Sequence, residues 1–234
     1  QPWLCPSSPL NRQLQLDALK EVAFNYDVDG IHFDYIRYPD ENSCFCDGCR
    51  ERFAESYYES TGQRLEGDLV EAIKKDKAVD SAWRQWRCDQ ITALVREVSE
   101  AVREKKPNVQ ISAAVFQGYP GVKKSVGQDW GLWIEKGYLD FVCPMDYTED
   151  PFYFEQLIQK QLPITQGKVP LYPGIGYSST GNNMRPDEAI LQANIAQRLG
   201  TEGFIIFNLD QRSAEKTFPE FKKGITSEKT KRAN

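Results

Sequence analysis

Along the chain, short dense apolar runs alternate with longer stretches whose apolar residues recur at helical intervals. In residues 11–25, Leu14, Leu16, Leu19, Val22, Ala23 and Phe24 are spaced roughly as one helix face requires. Asp29-Gly30 then opens the run 31–36, a predicted strand ending at Arg37-Tyr38-Pro39. A long polar insertion follows. The clearest helix is 83–105, where Trp83, Trp86, Ile91, Leu94, Val95, Val98 and Val102 form a stripe and Pro107 stops it. Strands are predicted at 109–116, 138–145, 169–176 and 203–208. Helices are predicted at 130–136, 152–161 and 187–199, the last opened by Pro186 and closed by Gly200. A final helical turn is expected near 218–223, and the Lys/Glu/Thr-rich end, 226–234, reads as a flexible tail.

Five short, largely apolar strands separated by helices predict an α/β fold with a parallel sheet covered on both faces. No Gly-x-Gly-x-x-Gly or Walker pattern follows any of them, which argues against a nucleotide-binding Rossmann domain. The expectation is a (β/α)8 TIM-barrel type with about five βα units in this chain, the first three strands being expected ahead of Gln1. Residues 1–225 are read as a single barrel domain with a cysteine-containing insertion at about 40–80. A barrel short of three strands has open edges, so self-association through them is also expected.

Composition narrows the function. The 234 residues carry 29 Lys and Arg against 34 Asp and Glu, a net charge of −5, with the basic residues scattered. Nucleic-acid binding selects for a clustered basic face, so that partner is excluded. No apolar stretch approaches the ~20 residues that span a bilayer. A single histidine rules out a multi-histidine metal centre.

In a parallel barrel the chemistry gathers at the carboxyl ends of the strands. Those ends carry His32, Asp34, Arg37 and Tyr38 after the first strand, and Gln128, Asp129 and Trp130 on the loop after the second. Asp146 and Tyr147 follow the third, Tyr177 the fourth, and Asn208 and Asp210 the fifth. Strand alternation puts His32 and Asp34 on one face, and a carboxylate in an apolar strand needs either a partner or a task. The alternative for Asp34 is an ion pair with Arg37. For Asp146 and Asp129 it is capping of the next helix. Two carboxylates across a barrel mouth suit glycosidic cleavage, which needs one acid for the leaving oxygen and one carboxylate to attack or to activate water. Tyr38, Trp130, Tyr147 and Tyr177 suit stacking on sugar rings, or else core packing. Arg37, Gln128 and Asn208 suit hydroxyls, and His32 a hydrogen bond near Asp34.

Cys44, Cys46 and Cys49 form a cluster that, with Cys88 as fourth ligand, fits a structural zinc; a disulfide with one free thiol is the alternative. No cofactor is expected to be required for catalysis.

The stretch from Tyr26 through Asp34 to Pro39 resembles the signature of the glycosyl-hydrolase-like family ten proteins, bacterial (β/α)8 barrels. Trp3-Leu4-Cys5-Pro6-Ser7, Gln128-Asp129-Trp130, the run from Asp140 through Cys143-Pro144-Met145-Asp146-Tyr147, and Pro173-Gly174-Ile175-Gly176 are similar too. The resemblance implies a retaining-type glycosidase acting on an oligo- or polysaccharide such as a cell-wall or storage glycan. Asp34 would then close the fourth strand as nucleophile and Asp146 the sixth as general acid/base, by analogy with related barrel glycosidases. It also implies export to the periplasm or outside the cell. The competing expectation is a catalytically inactive carbohydrate-binding protein on the same scaffold.

Overall fold

Ser8 turns the chain into its first helix. Its hydroxyl accepts from the Asn11 amide at 3.5 Å, and Pro9, whose missing N–H would be unpaired there anyway, opens α1 (Pro9–Asn25). The structure is a computed structural model that describes residues 3–179, 181–211 and 213–223. The tail expected at 226–234 lies outside the described residues. Among the described residues the chain forms two compact units, one from the residues up to 113 with 118–140, the other from 114–117 with the residues from 141 onward.

In the first unit α1 leads to β1 (Gly30–Phe33). The polar insertion folds into α2 (Asp47–Thr61) and α3 (Leu69–Lys75), two helices the sequence reading leaves unassigned. They build a small core in which Phe53, Tyr57 and Leu69 pack with Val79, Trp83 and Trp86 from α4 (Lys77–Lys105). The predicted stripe of α4 is its buried face except for Leu94, which is half-buried, and Asp76 caps the helix by accepting from the Ala78 amide at 2.7 Å. β2 (Gln110–Val115) pairs parallel with β1, from Gly30 opposite Gln110 to Phe33 opposite Ala113. Two short helices, α5 (Gly121–Val126) and α6 (Trp130–Glu135), complete the unit.

In the second unit the Met145 amide donates to Val115 O at 2.8 Å, just beyond β3 (Phe141–Pro144). Val142 bridges Leu171 in parallel. After α7 (Pro151–Thr165), β4 (Gly174–Gly176) pairs parallel with β5 (Ile205–Phe207). Helix α8 (Pro186–Arg198) packs on α7, and a short π-helix at Ser213–Thr217 leads into α9 (Phe218–Lys223).

Every described strand pairing is parallel, as the apolar runs imply, but the strands are shorter than those runs. β1 stops at Phe33 because Tyr35 takes a left-handed φ of +53°, which no ladder tolerates. β4 begins only after Pro170 and Pro173, which have no N–H to donate. β1 and β5 also expose alternate residues instead of being covered on both faces.

Candidate active site

The end of β1 forms one wall of a groove of about 720 Å3, within the range of small-molecule sites. The other walls are the segment from Trp3 to Pro6, one face of α1, and Gln90, Ile91 and Leu94 of α4. Asp34 follows the strand and is exposed on this wall. Its Oδ1 accepts from the Tyr35 amide at 2.8 Å, the local bond that lets the next residue enter the left-handed region. Tyr35 therefore projects outward at 63% exposure, and Trp3, at 40%, lies beside it with ring centroids 5.7 Å apart. The Arg37 guanidinium carbon is 5.0 Å from each ring, while its Nη1 donates to Tyr38 O at 3.0 Å and to Pro39 O at 3.2 Å. An Arg anchored on backbone carbonyls and set against two adjacent exposed rings is a polar-aromatic surface.

His32 also lines the groove. Its Nδ1 is 2.8 Å from Ser112 Oγ, and desolvation of the ring lowers its pKa below 6.5 while the Asp34 carboxylate pulls it back up. The ring is thus neutral at pH 7, able to donate from one nitrogen and accept at the other.

The remaining first-unit candidates are buried, and none is among the residues lining the groove. Tyr38 packs under the Arg87 guanidinium at 4.3 Å, and burial raises its phenol pKa. Gln128 Nε2 donates to Ile36 O at 3.3 Å. Asp129 performs the capping role named as its alternative: it accepts from the Leu132 amide at 3.4 Å, from the Tyr119 hydroxyl at 2.8 Å, and pairs with Lys123 at 2.7 Å. Trp130 packs against Tyr119 with ring centroids 4.8 Å apart.

In the second unit Asp146 sits one residue beyond Met145 and is fully buried, at 0% exposure. It does not cap the next helix; Asp150 does, accepting from the Phe152 and Tyr153 amides. Gln161, on the inner face of α7, donates from Nε2 to Asp146 Oδ1 at 2.6 Å, and Oδ2 has no partner among the described residues. Burial pushes the Asp146 pKa up to about 8, with the Gln161 bond opposing it, so the carboxyl is largely protonated at neutral pH.

Tyr147 is stacked on Phe207, with centroids 5.4 Å apart and planes at 22°. Gly174 and Gly176 let β4 approach it: a Cβ on Gly176 would fall 2.8 Å from Tyr147 Cβ and 2.6 Å from Ser179 Oγ. Tyr177 is buried at the end of β4. Asn208 Oδ1 accepts from Ser178 Oγ, which is also 3.1 Å from Asp210 Oδ2. Strand ends therefore do gather polar groups in each unit, His32, Asp34 and Arg37 in the first and Ser178, Asn208 and Asp210 in the second.

Residues 1–181 match the family described as Glycosyl hydrolase-like 10. The chain belongs to this family. It is 27% identical over 241 residues to the S-layer-related protein of Niallia circulans, covering 88% of this chain and 14% of that protein. It is 23% identical over 157 residues to glycosyl hydrolase YngK of Bacillus subtilis (strain 168), covering 61% of this chain and 27% of that one. The chain thus spans about a seventh and about a quarter of these curated relatives. Among solved structures it is similar to the PgaB (BpsB) glycoside hydrolase domain from Bordetella bronchiseptica, with a TM-score of 0.69 at 14% identity over 88% of this chain and 59% of that one. At that identity the likeness speaks for the fold. No helix among the described residues is long and apolar enough to cross a membrane.

Two features of this glycosyl hydrolase-like chain depart from what its sequence leads one to expect. Cys44, Cys46 and Cys49 do converge, but the fourth thiol among them is Cys5, and all four Sγ atoms lie within 4.8 Å of one another. Cys88 is elsewhere: buried on α4, its thiol donates to Lys123 O at 3.2 Å. Spacing cannot choose between the two, since Cys5 and Cys88 each lie 39 residues from the nearest cysteine of the cluster, and folding of the N-terminal segment is what brings in Cys5. Second, the exposed groove aromatics are Trp3 and Tyr35. The sequence singles out neither as a groove ring, because strict alternation assigns Tyr35 to the face opposite Asp34 and nothing foretells the left-handed turn. The sequence signal for Trp3 is its place in the Trp-Leu-Cys-Pro-Ser motif.

Proposed function

We propose that this chain is part of an exported glycoside hydrolase that cleaves glycosidic bonds in a polysaccharide or cell-wall glycan, built on a (β/α)8-type scaffold. The observation that carries this reading is the groove itself, lined by an exposed carboxylate, Asp34, and by an Arg whose guanidinium lies 5.0 Å from each of two exposed, mutually adjacent rings. Aromatic faces stack on the apolar faces of sugars, and the charged groups hold hydroxyls. In the proposed reaction Asp34 attacks the anomeric carbon as Asp146 protonates the departing glycosidic oxygen. Water then displaces Asp34 from the glycosyl intermediate, giving its proton to Asp146. A carboxyl with a pKa of about 8 is already in the acid form at pH 7, which supports that role for Asp146. Export is supported by the similarity to a protein named as S-layer-related.

A second reading, a carbohydrate-binding protein without turnover, is favoured by the complete burial of Asp146. Reducing-end release and binding, measured on a panel of polysaccharides and cell-wall glycans, separate the two. Turnover that Asp34→Asn and Asp146→Asn each lower by at least about 10^3-fold, with binding kept, supports hydrolysis. Binding by the unaltered chain with no new reducing ends supports the second reading.

A further inference from the structure

We propose that Cys5, Cys44, Cys46 and Cys49 form a structural tetrathiolate zinc site that pins the N-terminal wall of the groove to the insertion. The four sulfurs come from two segments far apart in sequence, yet all lie within 4.8 Å of one another. Cys5 Sγ is 3.3 Å from Cys49 Sγ and 3.7 Å from Cys46 Sγ. A tetrahedral zinc with bonds of about 2.3 Å sets its sulfurs about 3.8 Å apart, whereas a disulfide draws two of them to about 2.0 Å and leaves the others out. A closed cluster of four mutually adjacent thiols matches the tetrahedron better than it matches two separate pairs.

The surroundings suit a site carrying net negative charge. Cys46 is the N-cap of α2, so the positive end of a 15-residue helix faces the sulfurs. Ser7 Oγ lies 3.1 Å from Cys49 Sγ and 3.4 Å from Cys5 Sγ. Arg52 holds that serine through Nη2 at 2.9 Å and reaches to 4.0 Å from Cys5 Sγ. Donors that orient ligands in this way are the usual companions of a metal site. With four protein sulfurs there is no open position, so the metal's role is architectural. What it would hold is specific: Cys5 belongs to the Trp3–Pro6 wall of the groove, and Cys49 to the small core around Phe53 and Trp83. That core is limited, and a metal staple offsets its small buried area.

The test loads the full chain with zinc under reducing conditions, removes free metal, and measures bound zinc by mass spectrometry under non-denaturing conditions. Cobalt substitution gives a second readout, the visible absorption of a tetrahedral thiolate site. One zinc per chain is expected. Cys5→Ser and Cys46→Ser should weaken it by at least about ten-fold, with the exposed Cys46 giving a variant that keeps its helical circular dichroism. Cys88→Ser should bind zinc like the parent. Zinc-free protein, iron in place of zinc, equal loss in Cys88→Ser, or disulfides among the four cysteines in natively purified protein would each overturn the assignment. None of these readouts depends on hydrolytic activity.

Discussion

Gln161 Nε2 lies 2.6 Å from Asp146 Oδ1 and is the one described side-chain donor to a carboxyl that is otherwise sealed from water. Burial raises the Asp146 pKa from 3.8 to about 8. The neutral form is thus the one the fold prefers, and the stability it supplies is whole below about pH 4 and lost as pH climbs through about 8. Asp146→Asn removes the charge that must otherwise be buried. Its melting temperature, measured from pH 4 to 9, should vary less with pH than the parent's and exceed it at the alkaline end. At roughly 2–4 °C per kcal/mol for a chain of this size, the gain is readable by thermal scanning. A parent whose stability rises across that window would show that Asp146 is ionised in the fold.

The single histidine makes a second test unambiguous. His32 is desolvated on the groove wall, and the Asp34 carboxylate partly restores its basicity. Its imidazole protons, followed by NMR, should titrate with a midpoint below 6.5. Asp34→Asn should move that midpoint further down, since the compensating charge is gone. Because the folded pKa is the lower one, the associated stability is present above about pH 6.5 and declines as the ring is forced to protonate in acid. A midpoint that does not move in Asp34→Asn would place the carboxylate out of electrostatic reach of the ring.

Close approach of backbone to side chain supports the region around Tyr147. A methyl on Gly176 would meet Ser179 Oγ at 2.6 Å and Tyr147 Cβ at 2.8 Å, and the latter cannot swing aside as a chain end can. Gly176→Ala should therefore cost roughly 1–3 kcal/mol in urea unfolding. Gly181→Ala, with a φ of +88° and open space around it, should cost roughly 1 kcal/mol from backbone strain alone. Equal effects at the two positions would mean that crowding at Gly176 is relieved by a backbone shift.

These relationships mark where sequence reading succeeds and where it stops. The stripe on α4 is legible because Trp83, Val95 and Val102 are buried by the same periodicity that identifies them. Helices α2 and α3 are not, because Phe53, Tyr57 and Leu69 are too sparse to signal a face until Trp83 and Trp86 cover them. Asp34 and Asp146 are marked by their places at apolar strand ends and by the family resemblance, and neither signal says anything of exposure: one stands on an open wall, the other has no accessible surface. Aromatics are harder still. Tyr38, Trp130 and Tyr177 suit sugar platforms by their strand-end positions and are buried, whereas exposed Tyr35 depends on one backbone angle.

That angle gives the last prediction. At φ +53° Tyr35 occupies a conformation that costs a side-chain-bearing residue about 1 kcal/mol, more for a β-branched one. Glycine is relaxed there but loses more entropy on folding, by roughly 0.5–1 kcal/mol, so Tyr35→Gly should leave stability nearly unchanged. Tyr35→Val should be clearly less stable than either. If the ring is kept in this strained position to meet a sugar, both variants should bind the oligosaccharide identified by the reducing-end screen about ten-fold more weakly, a loss of ~1.4 kcal/mol. Trp3→Ala, which leaves the turn intact, should weaken binding to a similar degree with little change in unfolding. Calorimetric titration beside urea unfolding separates the two effects. Full binding by Tyr35→Gly and Trp3→Ala would leave the turn as a feature of the backbone and remove the aromatic surface from the proposed site.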